Sequence, residues 1–145
     1  MKKLESGRSM VEMLGVLAII GVLSVGGIAG YTLSMRRHRA NGVADVVAKY
    51  ALVVYGQCQQ KILNGDANTP SECSSLTTFA NAGIGDMPSG VSAISFQGIE
   101  SDSGGVDTVT INTAFTDPKL CQALGAITGT GCKSNKNVAV KIKQN

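Results

Sequence analysis

The chain has 145 residues, the length of one ordinary domain and too short for a multi-domain enzyme. It carries 18 glycines, no tryptophan, three tyrosines and three phenylalanines, which argues against an aromatic-rich recognition surface. Thirteen Lys and Arg against ten Asp and Glu leave a net charge of +3, too small for charge alone to specify a nucleic-acid partner.

The first twelve residues read M-K-K-L-E-S-G-R-S-M-V-E, a short basic segment containing Gly7, Arg8 and Glu12. From Met13 to Met35 there follow 23 residues without a formal charge. At about 1.5 Å per residue, a helix of that length reaches roughly 35 Å, enough to cross a bilayer core of about 30 Å. A cleavable secretory signal has an apolar region of only about 7 to 15 residues, so this stretch is too long to be one.

Gly7, the Glu12 that stands fifth after it, and the uninterrupted apolar helix that follows resemble the leader of type IV prepilins, over residues 1 to about 35. The resemblance implies cleavage between Gly7 and Arg8 by a prepilin peptidase on the cytoplasmic side, N-methylation of the new amine of Arg8, and retention of the apolar helix in the mature chain. The family usually starts its mature chain with an apolar residue, and this sequence departs from that pattern with Arg8. The resemblance divides the chain into a leader (1–7), an apolar transmembrane or filament-core helix (8–35), and a globular pilin head (36–145) that includes the rest of the long helix.

A carboxylate such as Glu12 on an apolar helix costs about 2.5 to 3.5 kcal/mol at mid-membrane on insertion scales, and less near the boundary. In the family the equivalent glutamate is thought to meet the α-amine of a neighbouring subunit. Opposite charges about 4 Å apart at an effective dielectric near 20 attract by about 4 kcal/mol before desolvation. The bland alternative leaves Glu12 at the headgroup level or beside Arg8, one turn away on its own helix. Gly15, Gly21, Gly26, Gly27 and Gly30 each cost about 1 kcal/mol against Ala in a helix. Close helix approach, with Gly26 and Gly30 in G-x-x-x-G spacing, and local unwinding at Gly26–Gly27 are the two available reasons.

Arg36, Arg37, His38 and Arg39 follow the apolar stretch. Counted by the positive-inside rule they would hold the remainder in the cytoplasm. Cys58, Cys73, Cys121 and Cys132, an even set in a small chain, point to an oxidising compartment instead. The cysteines carry more weight, since the basic cluster has other uses: contact with lipid phosphates, contact with acidic faces of neighbours, or simple solvation. Beyond it, Val43, Val47, Ala51, Val54, Cys58 and Ile62 recur at helical spacing. The spacing predicts one helix from near Ser9 to Leu63, stopped by N-G-D at Asn64 to Asp66.

Residues 64–90 read as a connecting loop with one short helix near Leu76 to Ala82. Strands are predicted at Val91 to Gln97 and Val106 to Asn112, joined by a turn at Ser103 to Gly105, with a third around Val138 to Lys143. Between the second and third lies a short helix with Asp117 as N-cap, Pro118 at its first position and Gly125 at its end. The expected fold is α+β: a long N-terminal helix packed under a small antiparallel sheet.

Four cysteines permit three pairings. Cys58–Cys73 with Cys121–Cys132 is favoured because both bonds close short loops, and the second resembles the carboxy-terminal disulfide loop of type IV pilins. Neither spacing suits a zinc ligand pair, so no metal is expected. The sequence contains one histidine, His38, in the basic cluster, and no phosphate-binding glycine loop or internal repeat, so neither an enzyme nor a cofactor is expected.

By resemblance the chain is a structural subunit of a type IV pilus. It would be held single-pass in the inner membrane with its head outside the cytoplasm, then polymerised with other pilin subunits into an extracellular filament. Its partners would be the prepilin peptidase, an assembly ATPase and an inner-membrane platform. A minor pilin or a type II secretion pseudopilin shares the same leader. A membrane-anchored extracytoplasmic binding module is the alternative of another class. Lys133, Lys136, Lys141 and Lys143 near the carboxyl end allow DNA contact without supporting it, and protection of a strand edge explains them more simply.

Overall fold

A computed structural model describes residues 5–73, 76–134 and 136–144, with side chains described from residue 10 onward. The fold is α+β. Helix α1 (Glu5–Leu63) is followed by two short 3-10 turns, Pro70–Glu72 and Phe79–Asn81, then by strands β1 (Val91–Ser101) and β2 (Asp107–Phe115), helix α2 (Pro118–Thr128) and strand β3 (Asn137–Gln144). The chain divides into two compact units, Met1–Met35 and Arg36–Asn145.

The first unit is the apolar part of α1. It is apolar on every side, which leaves no face to select for packing within one chain. The helix is long and apolar enough to cross a membrane. Residues 1–4, part of the expected leader, lie outside the described residues. Gly7 and Arg8 fall in the first turns of α1, ahead of the expected start near Ser9, and the Arg8 side chain lies outside the described residues.

In the second unit α1 becomes amphipathic. Ala40, Val43, Val47, Tyr50, Ala51, Val54 and Cys58 are buried on one stripe, and Ile62 is half-buried at its end. The stripe meets the inner face of a three-stranded antiparallel sheet of order β1-β2-β3. In the central strand, Asp107, Val109, Ile111, Thr113 and Phe115 are buried and their neighbours half-exposed, the period-2 alternation of a sheet covered on one side. Ile94, Ile99, Val138 and Val140 complete that face.

Several predicted boundaries shift, each for a local reason. β1 does not stop at Gln97, because a register shift between Phe96 and Gly98 absorbs one extra residue and the ladder resumes as far as Ser101 paired with Asp107. The hairpin loop is closed by the Asp102 side chain, which accepts from the backbone N–H groups of Gly104 and Val106, while Gly105 takes a positive φ of 76°. Those two N–H donors hold the Asp102 carboxyl below its usual value. In the loop after α1, the expected helix at Leu76 to Ala82 shrinks to the single 3-10 turn Phe79–Asn81, because Phe79 turns inward to anchor the segment on the core.

Helix α2 starts as expected, with Asp117 accepting from the Lys119 N–H at 2.9 Å and Pro118 in the first turn. Its end is a correction. Gly125 does not terminate the helix; Gly129 does, in the left-handed conformation with φ 71°. Gly125 is buried inside the helix, where a Cβ would stand 2.7 Å from the carbonyl carbon of Gly131 and 2.8 Å from the nitrogen of Cys132. That glycine is therefore a packing requirement: it lets the following loop lie directly on α2.

Candidate functional site

The apolar stretch of α1 is the feature most in need of a partner. Met10, Val11, Met13, Leu14, Val16, Leu17, Ile19, Ile20, Val22, Leu23, Val25, Ile28 and Leu33 are all at least half exposed. A monomeric soluble protein rarely exposes a contiguous apolar patch beyond a few hundred Å², and this one lies on a helix long and apolar enough to cross a membrane. Two of the hydroxyls along it are turned back on their own backbone. Ser24 Oγ donates to the Ile20 carbonyl at 2.7 Å and Thr32 Oγ1 to that of Ala29 at 2.9 Å, which suits a medium without water.

Glu12 is exposed on this helix and, among the described residues, has no ion-pair partner. The five glycines of the stretch share one property: a Cβ placed on Gly15, Gly21, Gly26, Gly27 or Gly30 would meet nothing within 4 Å. Packing within the chain therefore gives no reason for any of them, although each weakens the helix. At 3.6 residues per turn, Glu12, Gly15, Gly26 and Gly30 fall within about 60° of one another around the helix axis. The unpaired carboxylate and three of the five glycines thus share one side of α1. Sequence spacing contained this relationship, but the G-x-x-x-G pair alone does not reveal that Glu12 belongs to the same side.

Arg36, Arg37, His38 and Arg39 are all exposed, and among the described residues none of them has an ion-pair partner.

Two disulfides brace the second unit, Cys58–Cys73 and Cys121–Cys132, each with Cα atoms 5.6 Å apart. The first ties the end of α1 to the loop after it and the second ties α2 to the segment before β3. For sequence separations of 15 and 11 the chain-entropy account assigns about 3 kcal/mol to each. Among the described residues no group of three His, Cys, Asp or Glu could hold a metal ion.

Three positioning residues escape sequence reasoning. Tyr50, 1 % exposed, stands edge-on to Phe79 with ring centroids 5.6 Å apart and donates its hydroxyl to the Thr77 carbonyl at 2.8 Å, which pins the loop onto α1. Burial raises its phenol pKa. Tyr55 donates to Asp107 at the start of β2, and Ser101 donates to the same carboxylate from β1. No local motif marks Tyr50 or Tyr55, because Thr77 and Asp107 lie 27 and 52 residues away in the chain. No family model, curated protein or solved structure matches the chain.

Proposed function

We propose that this chain is a filament subunit of the type IV pilin kind. It is held by α1 in the inner membrane with the disulfide-bonded unit outside the cytoplasm, cleaved between Gly7 and Arg8, methylated at Arg8, and polymerised through the apolar part of α1 into an extracellular pilus. The observation that carries this reading is the exposed apolar helix with Glu12, exposed and without an ion-pair partner among the described residues, on its glycine-bearing side. Lipid satisfies the apolar surface but not the carboxylate or the glycines. A second subunit satisfies all three, because its α-amine neutralises Glu12 and its helix fills the space beside Gly15, Gly26 and Gly30.

The disulfides support export, since such bonds persist in oxidising compartments. Prepilin peptidase, an assembly ATPase and an inner-membrane platform are the partners this reading requires. A minor pilin or secretion pseudopilin fits the same helix and differs in abundance within the filament.

Intact-mass and amino-terminal analysis of sheared surface material tests the proposal. The expected product starts at methylated Arg8 and lacks four hydrogens, two for each disulfide. A chain starting at Met1 and confined to the membrane would leave only an anchored module. Glu12→Ala separates the two classes independently: it abolishes a filament and leaves simple anchoring intact.

A further inference from the structure

Lys2 and Lys3 at the amino end apart, the basic residues of this chain are sorted by type. All four arginines, Arg8, Arg36, Arg37 and Arg39, flank the apolar stretch, whereas residues 40–145 contain seven lysines and no arginine. Solubility or net charge would be served by either residue. A guanidinium differs from an ammonium in its planar fork, which binds phosphate through two parallel hydrogen bonds, and in its weaker hydration. The arginines therefore point to a phosphate ligand at the ends of the apolar stretch.

The arrangement narrows the ligand further. Arg36, Arg37, His38 and Arg39 are successive helical residues, so at about 100° per residue they project in every direction around the axis. A docking protein would need cations on one side; a layer of anions surrounding the helix meets all of them. No Asp or Glu occurs between Glu12 and Asp45 in the sequence, and Asp45 lies 3.8 Å from Lys49, so no carboxylate of the same helix neutralises the ring. The spacing agrees as well. Arg8 to Met35 is 27 helical steps, about 40 Å, which matches a bilayer with its headgroups at about 40–45 Å, and Arg36 is the next residue.

We propose that Arg36, Arg37, His38 and Arg39 form a collar that binds the phosphate groups of anionic phospholipids where α1 leaves the bilayer on the side of the disulfide-bonded unit. The collar sets the depth at which the subunit waits before assembly. This inference rests on the membrane-held state of the proposed function and adds the lipid class and the residues that recognise it.

The test uses the full chain in non-ionic detergent micelles with equal phosphatidylcholine and phosphatidylglycerol, with native mass spectrometry to count retained lipids. The wild type is expected to retain phosphatidylglycerol in preference. At roughly fivefold per basic residue near an anionic surface, the R36Q/R37Q/R39Q variant loses retention by about a hundredfold. The R36K/R37K/R39K variant keeps the charge without the fork and falls between the two. The K133Q/K141Q/K143Q control, which removes as many cations from β3 and the segment before it, leaves retention unchanged.

Equal retention of both lipids by the wild type would overturn the proposal, as would a Gln variant that keeps phosphatidylglycerol. Displacement of the lipid by excess inorganic phosphate would overturn it in favour of a free-phosphate site. Loss of filaments in the Gln variant with lipid retention intact would overturn it in favour of acidic faces on neighbouring subunits. Alkaline extraction of the wild type from vesicles is scored separately: release from the bilayer would sink the membrane-held reading, while lipid preference in micelles still reports on the collar.

Discussion

The Tyr55 hydroxyl donates to Asp107 Oδ2 at 2.8 Å, joining α1 to the first residue of the central strand across 52 residues of sequence. Asp107 is 9 % exposed and accepts a second hydrogen bond from Ser101 on β1, so one buried carboxylate gathers the helix and two strands. Removing one donor leaves a carboxylate with too few partners in a place water reaches poorly. Tyr55→Phe is therefore expected to lower the stability of the folded chain by about 1–2 kcal/mol, read as an earlier midpoint in urea with unchanged slope. An unchanged midpoint would show that water replaces the tyrosine without loss.

The same pair shapes the alkaline limb of stability. The Asp107 hydrogen bond, with burial and the carboxylate charge behind it, raises the Tyr55 pKa above the ordinary 10.0, and burial raises that of Tyr50. A group whose folded pKa is raised binds its proton more tightly in the folded state. Its contribution is complete below the unfolded value near 10 and is lost as pH climbs through the folded value. Thermal unfolding followed from pH 8 upward should show a midpoint that is flat to about pH 10 and then falls. The fall should be shallower in Tyr55→Phe.

Gly125→Ala tests the packing of the carboxy-terminal loop on α2. In an open helix this change is favourable, by about 1 kcal/mol. Here the new methyl would stand 2.7–2.8 Å from the backbone of Gly131 and Cys132, which cannot rotate away. The expected outcome is a loss of about 1–3 kcal/mol and a larger fraction of free thiol at Cys121 and Cys132 under mild reductant. Thiol titration beside a melting curve checks both.

Thr113 Oγ1 is buried in the centre of the sheet without a hydrogen-bond partner among the described residues. Valine has nearly the same shape and the same preference for a strand. Thr113→Val removes the unsatisfied hydroxyl and is expected to stabilise the chain by about 1 kcal/mol. A drop in stability would mean that an ordered water serves that hydroxyl.

The double change Gly26→Ala/Gly30→Ala separates folding from assembly. Among the described residues nothing lies within 4 Å of either new methyl, so helix content in detergent should rise slightly or stay the same. If a neighbouring helix packs against this side, filament yield should fall severalfold while membrane levels of the protein hold steady. Equal yields would remove the glycines from the account of assembly.

Legibility in the sequence followed the range of the interactions involved. The stripe from Val43 to Ile62 was readable because a helical period is a local property that burial on one side imposes on the residues themselves. Asp117 and Pro118 marked the start of α2 because capping involves only neighbours in the chain. The end of α2 was misplaced at Gly125 because a glycine serves a left-handed cap and a close approach equally well, and only the loop returning at Gly131 distinguishes them. Gln97 likewise read as the end of β1, since a bulge is defined by the partner strand and not by the strand that carries it.

Sequence alone determined the apolar length of α1, its flanking charges and the glycines within it, because side chains that stay exposed along a helix depend on no distant residue of their own chain. The tertiary structure decided how the second unit is held. The Tyr50 contact with Thr77 and that of Tyr55 with Asp107 join segments 27 and 52 residues apart, while the Ser101 bond to Asp107 and the seating of Cys132 over Gly125 depend on how the intervening turn brings nearby segments back together. Such contacts depend on the sheet order and register that bring their partners together, and no local spacing encodes them.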